Sequence, residues 1–392
     1  MKKTFIIFSL LSLMSCQSFQ SSFESLGLVD EDPNAPVELD QSYESFLDSK
    51  WKIPSSKPLI NFDFFAENIE ANKFFALAGS TLYVINDKVL NGFDYSTGEL
   101  KNSFELETNR IMSGVTVGYN SFVYSDADGV IYAHDLNSGN LKWQRELQDV
   151  VLSEVLITST SVFVQTSSDV LYGLDLQNGQ ILWSKSAQAP LLSIRGTAYP
   201  IFFEGLVFTG FSNGRLAAVR AIDGIQLWEK PISRLKGSTE LEKLMDADSP
   251  AIAINEDIFS ANYNGSLTRF NIRTGEKIFS VDLSTSKPFV LYRDRITAIN
   301  MTDELIGFNA INGTEVWRNQ KFKNREITEP VLYEDKIYFG DLEGYLHEID
   351  ASTGMITGLT STDLKAIKQL EIFSDTLVVE DVDGAISGFD LK

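Results

Sequence analysis

The residues of this chain that could do chemistry are few and far apart. Its two histidines, His134 and His347, each lie in a stretch of alternating apolar residues that reads as a β-strand. One such pair makes no closed zinc site without cysteine or carboxylate help. A lone strand histidine is more often a hydrogen-bonded or surface residue than a ligand. Two acidic turns, Asp126-Ala-Asp128-Gly129 and Asp381-Val-Asp383-Gly384, lack the further ligands and terminal Glu of a calcium loop. Their composition suits β-hairpin turns, which need no metal. No serine elbow, phosphate-cradling glycine loop or cysteine nucleophile stands in a fitting context. With 54 acidic residues in the chain, a pair of nearby carboxylates identifies nothing. No catalytic residue, metal ligand or cofactor is expected. The chemistry to look for is binding.

One residue does suggest a covalent step. Lys2 and Lys3 precede a short apolar run, Phe5 to Met14, which is too short to span a bilayer as a helix. Leu13-Met14-Ser15-Cys16 follows and resembles the lipobox of bacterial lipoproteins, with a small residue directly before the cysteine. That resemblance implies a signal peptide over residues 1–15, cleavage before Cys16, and lipidation of Cys16. Cys16 is the only cysteine, so it has no intramolecular disulfide to form. Gln17 and Ser18 follow it, a pattern resembling an outer-membrane address, with the protein on the periplasmic face.

Residues 16–54 read as the lipidated cysteine and an acidic flexible tether, and residues 55–392 as the folded domain. Positions 17 to 50 hold eight acidic residues and one lysine among Ser, Pro and Asn. Such a stretch buries too little apolar surface to offset its ordering entropy. Phe19, Phe23, Tyr43 and Phe46 are its exceptions, able to dock locally, but a solvated linker is the expectation. The formal net charge of −21 argues against nucleic acid, which needs a basic footprint, and against lying flat on anionic lipid. The membrane is then met through the lipid anchor alone.

The elements that position everything else come from a repeat. Clear copies are Gly129-Val-Ile-Tyr-Ala-His-Asp-Leu-Asn-Ser-Gly139-Asn-Leu-Lys-Trp143 and Asp169-Val-Leu-Tyr-Gly-Leu-Asp-Leu-Gln-Asn-Gly179-Gln-Ile-Leu-Trp183. Two more end at Trp228 and Trp317. In weaker copies Asn102, Phe279 and Gly358 stand at the tryptophan position. The turn glycines at 98, 139, 179, 224, 275, 313 and 354 are spaced by 41, 40, 45, 51, 38 and 41 residues. A period of this length with several short strands per unit predicts an all-β propeller of four-stranded antiparallel blades. Seven complete copies and a truncated eighth, Gly384 to Asp390, suggest eight blades, with seven as the fallback. The ring is expected to close with strands from both chain ends, Lys57–Phe65 being the candidate from the N-terminal side. Trp143, Trp183, Trp228 and Trp317 are expected to wedge between blades, their N–H reaching a backbone carbonyl.

The repeat is similar to the PQQ-like propeller repeat, and within that superfamily the chain resembles the BamB family of outer-membrane β-barrel assembly lipoproteins. Four segments carry the resemblance more specifically: Leu192-Ser-Ile-Arg195-Gly-Thr, Gly237 to Pro250 with Asp246 and Asp248, Ala261-Asn-Tyr-Asn-Gly-Ser-Leu, and Gly340-Asp-Leu-Glu-Gly-Tyr-Leu-His347. The resemblance implies a non-enzymatic scaffold that binds a periplasmic POTRA domain of the central barrel protein and aids insertion of outer-membrane proteins. It implies a contact through Leu192, Ile194, Arg195, Asp246 and Asp248. Spacing alone favours a plainer reading, with Arg195 and the two aspartates in a rim ion pair and Leu192 and Ile194 in strand core; the family resemblance favours the contact.

Two other functions fit a propeller. A PQQ-type quinoprotein dehydrogenase is the enzyme alternative; those enzymes are substantially longer, and many carry an adjacent cysteine pair that is missing here. A generic periplasmic propeller capturing polypeptides, unfolded outer-membrane proteins among them, by β-augmentation is the other.

Overall fold

The computed structural model describes residues 34–55, 75–108, 110–188, 190, 198–234, 244–247 and 249–391. Among them, eight four-stranded antiparallel sheets form, as the repeat predicts. Blades 1 to 7 follow in chain order, beginning at Phe75, Thr116, Leu156, Ile201, Ile252, Val290 and Val331. Within each, strands a to d run outwards from the axis, and the short a strands of neighbouring blades lie against one another. Blade 8 takes strands a to c from Ile367–Phe373, Thr376–Asp381 and Ile386–Asp390. Its outermost strand comes from the other end of the chain: Asp48–Ile53 pairs antiparallel with Ile386–Asp390.

That closing strand corrects the sequence reading. The ring is shut by Asp48–Ile53, inside the segment read as tether, and the candidate Lys57–Phe65 lies outside the described residues. The reason is in the repeat itself. Trp51 pairs with Gly388 as Trp183 pairs with Gly173, so the tryptophan missing from the truncated last copy stands near the start of the chain.

The motif of acidic residue, turn glycine and tryptophan has a physical explanation in two neighbouring blades. In the c–d turn of blade 3, the Asp175 carboxylate accepts the Gln177 and Asn178 amides at 2.9 and 3.0 Å. Gly179 donates to the Asp175 carbonyl and takes φ 68°, a conformation costly for residues with a Cβ. Gly179 also lies beneath the Trp143 ring of blade 2, where an added Cβ would overlap the indole. The Trp143 N–H donates to the Leu176 carbonyl of the same turn at 2.8 Å. Trp183, Trp228 and Trp51 repeat this across the next-blade interfaces, donating to Ala221, Ile272 and Tyr95 carbonyls at 2.9, 3.0 and 2.8 Å. Trp317 lies on Gly354, but its N–H has no hydrogen-bond partner.

Where the repeat lacks tryptophan, another ring takes over. Gly139 meets Phe104, two residues past Asn102, and Gly313 meets Phe279. Blade 7 has Gly358 at this position, and the space is filled by Phe46 from the N-terminal segment, which also packs 5.7 Å from the Tyr338 ring. Tyr43 and Phe46 therefore belong to the packed structure rather than to a solvated linker. Leu47 is buried beside them, and the Glu44 carbonyl accepts the Leu359 amide at 3.1 Å.

The c–d ladder of every blade slips by one residue beside the tryptophan position. Such bulges blunt exposed sheet edges against further pairing.

Two substitutions test this packing. Trp183→Ala is expected to cost about 3–5 kcal/mol and half-buried Phe46→Ala about 2 kcal/mol, read by denaturant unfolding. A change within a few tenths of a kcal/mol for Phe46→Ala would return it to the linker.

Candidate functional site

The propeller has two kinds of rim. The b–c turns and the loops that lead from strand d into the next blade share one face; the c–d turns occupy the other. In sequence, the two segments singled out for partner binding fall between blades 3 and 4 and between blades 4 and 5, and the described residues at their ends lie by the first face.

Their anchors converge on a single turn, Phe211 to Gly214 of blade 4. From the first loop, the Gln188 carbonyl accepts the Asn213 side chain at 3.2 Å, and the Ala187 amide donates to the backbone carbonyl of Asp169, whose side-chain carboxylate accepts the Ser212 amide at 3.1 Å. From the second loop, Ile232 and Ala247 donate to the Gly214 and Phe211 carbonyls at 3.0 and 3.3 Å. Gly210 and Gly214 leave no room for a Cβ against Ala247 and Met245. Leu192, Ile194, Arg195 and Asp248 lie outside the described residues, as does Cys16. Asp246 is described and is fully buried, with 0% exposure. Its carboxylate lies at the base of the loop. Its backbone carbonyl accepts the Tyr263 amide of blade 5 at 3.0 Å.

The residues first considered for catalysis are absorbed elsewhere. His134 is buried, with Nδ1 2.9 Å from the Gly139 carbonyl and Nε2 3.3 Å from the Tyr124 hydroxyl. Burial lowers its pKa and favours the neutral ring. Asp126 and Asp381 each accept two amides of their own turn. Among the described residues no three His, Cys, Asp or Glu side chains converge as a metal set would.

The segment Gly340 to His347 builds a network that the sequence did not reveal. Asp341, at the head of its turn, accepts the Glu343 and Tyr345 amides on one oxygen. Its other oxygen meets His347 Nε2 at 2.8 Å and Arg325 at 2.8 and 3.0 Å. Arg325 is only 2% exposed, also pairs with Glu343, and donates to the Val37 carbonyl at 2.8 Å. The N-terminal segment is thus held to blade 7 through a buried arginine. Its sequence signal is faint, because Arg325 sits in an irregular loop with no place in the repeat.

Three comparisons bear on this arrangement. The family model described as outer membrane protein assembly factor BamB matches residues 86–319. A relative from Escherichia coli K12 with that name is 31% identical over 330 residues, covering 81% of this chain and 84% of its own. The chain belongs to the BamB family. A Yersinia pestis BamB is 26% identical over 326 residues, covering 80% of this chain and 83% of the relative. The crystal structure of BamB from Moraxella catarrhalis superposes with a TM-score of 0.77 at 24% identity, covering 88% of this chain and 99% of that one. A europium-containing methanol dehydrogenase superposes with a TM-score of 0.69 at 13% identity over 89% of this chain and 88% of its own, which is a likeness of fold alone. The BamB family supplies non-enzymatic assembly factors, so the enzyme alternative falls away.

The Arg325 network makes a pH-dependent prediction for this BamB family member. Burial opposes ionisation of Asp341, but His347, the Tyr345 amide and Arg325 outweigh it and hold the carboxyl below its usual range. A lowered folded-state pKa gives stability that is present above the unfolded value and lost as pH falls through the folded one. Asp341→Asn is expected to cost about 3–5 kcal/mol at neutral pH, as for other broken buried pairs. Unfolding measured against pH should show that the difference from wild type narrows only below the ordinary carboxylate range. A difference that disappears near neutrality would contradict this account.

Proposed function

We propose that this propeller is an assembly scaffold for outer-membrane β-barrel proteins, carried on the periplasmic face of the outer membrane by lipid on Cys16. Membership of the BamB family over most of the chain carries the reading. The scaffold docks on a periplasmic POTRA domain of the central barrel protein through the two loops flanking Phe211 to Gly214. Leu192 and Ile194 supply the apolar anchor. Arg195 pairs with a partner carboxylate or backbone carbonyl, as arginine often does at binding hot spots. Asp246, being buried, shapes the loop rather than touching the partner, and Asp248 is left to orient Arg195 or meet a basic partner residue. The slipped ladder on every outer strand weighs against capture of long extended chains at the blade edges.

Co-purification from detergent extracts tests the contact. The wild-type chain should recover a POTRA-bearing barrel protein, identified by mass spectrometry, and folded Arg195→Glu should not. Equal recovery by both would move the interface elsewhere. Cys16→Ala should shift the protein from the membrane to the soluble periplasmic fraction; retention in the membrane would remove the proposed anchor.

A further inference from the structure

One segment singled out in the sequence has no role in the contact as described so far: Ala261-Asn-Tyr-Asn-Gly-Ser-Leu. It forms the b–c turn of blade 5. At the head of the matching turn, blades 2, 7 and 8 carry Asp126, Asp341 and Asp381, whose carboxylates accept the amides two and four residues on. Blade 5 carries Asn262 instead. Its Oδ1 does half of that work, accepting the Ser266 amide four residues on at 3.0 Å, while the Asn264 amide two residues on donates to Ser284 Oγ at 2.9 Å. The Asn262 Nδ2 does something no aspartate can do. It donates to the Met245 carbonyl and to Ser233 Oγ, each at 3.1 Å, so one side chain ties two stretches of the loop between blades 4 and 5, 232–234 and 244–247, to the turn. The next residue continues the attachment, with the Tyr263 amide bonded to the Asp246 carbonyl at 3.0 Å. Asn262 is 0% exposed, and Gly265 sits against its amide where a Cβ would overlap it. On the opposite side the segment is closed off by Gly210, Gly214 and the Phe211 carbonyl.

We propose that Asn262 is a positioning residue for partner binding: it clamps Met245 to Ala247 between the turns of blades 4 and 5 and so fixes the loop in its binding shape. This rests on the reading that the Asp246 loop meets the partner. Asparagine also heads the matching turn of blade 6, but there the Asn300 Nδ2 donates to Glu304 of its own turn, whereas the Asn262 amide reaches out to the blade-to-blade loop. The clamp needs a donor on the same side chain.

The full-length lipoprotein tests this with N262D, which keeps the acceptor and loses the donor, and N262A, which loses both. Amide exchange at Tyr263 and Ala247 should quicken about tenfold or more in both variants, as expected when a local bond is released without global unfolding. Protection of the Ser266 amide should survive in N262D and fall in N262A. Recovery of the barrel-assembly partner should drop about tenfold, the equivalent of roughly 1.4 kcal/mol. Should the buried carboxylate of N262D prevent folding, N262A carries the exchange and recovery measurements alone. Unchanged exchange at Tyr263 and Ala247 would overturn the clamp. Quickened exchange with wild-type recovery would overturn its role in binding, leaving a merely structural bond. Arg195→Glu run in parallel separates the two readings. If it loses the partner while the Asn262 variants keep it, the Asn262 proposal alone falls. If all of them keep it, the contact itself is misplaced.

Discussion

The ring depends on an aromatic side chain at each blade's outer edge, in blade 7 supplied by Phe46 of the N-terminal segment. Where that ring is tryptophan, its flat face rests on the glycine of the neighbouring turn, and in four cases its N–H bonds to a carbonyl of that turn. The contact combines a large buried apolar area with one directional bond. It requires glycine beneath it for two separate reasons, positive φ and closeness of approach. A blade is apolar on both faces and has no independent stability, so these contacts between blades hold the fold together.

The circle closes only because the chain supplies its two missing pieces from one place. Blade 8 lacks an outer strand and blade 7 lacks a ring at the tryptophan position. The segment Glu44 to Ile53 provides both, with Phe46 beside Gly358 and Trp51 beside Gly388. Opening the ring must therefore separate residues more than 300 positions apart in sequence. The buried Arg325 extends the same attachment back to Val37. The N-terminal segment from Val37 onward is thus joined to the propeller on the face that bears the blade-to-blade loops.

A scaffold binds by holding loops still on a rigid base. Here the base is the row of b–c turns, most of them capped by a side chain of their own, and the proposed binding loops are fastened to those of blades 3, 4 and 5. The buried Asp246 shows why residue identity alone misleads about such loops. An aspartate two residues from another in a polar segment reads as a surface group, yet Asp246 is buried at the loop's foundation.

By itself the sequence determined the all-β class and the four-stranded blade, and favoured eight blades over seven. These follow from local patterns that recur at a fixed period: alternation within strands, a capped turn, a glycine, and a tryptophan four residues later. The family was legible as a resemblance carried by four particular segments. The sequence also exposed the candidates for chemistry as turn and core residues, since none stood in a constellation. Only the tertiary structure decided which N-terminal segment closes the ring, because Trp51 and Phe46 are single residues lifted out of the repeat and recognisable only beside the blades they complete. It alone revealed Arg325 with Asp341 and Asn262 with Met245. Those pairs join irregular loops to turns, and a bond between two aperiodic segments leaves no period to read.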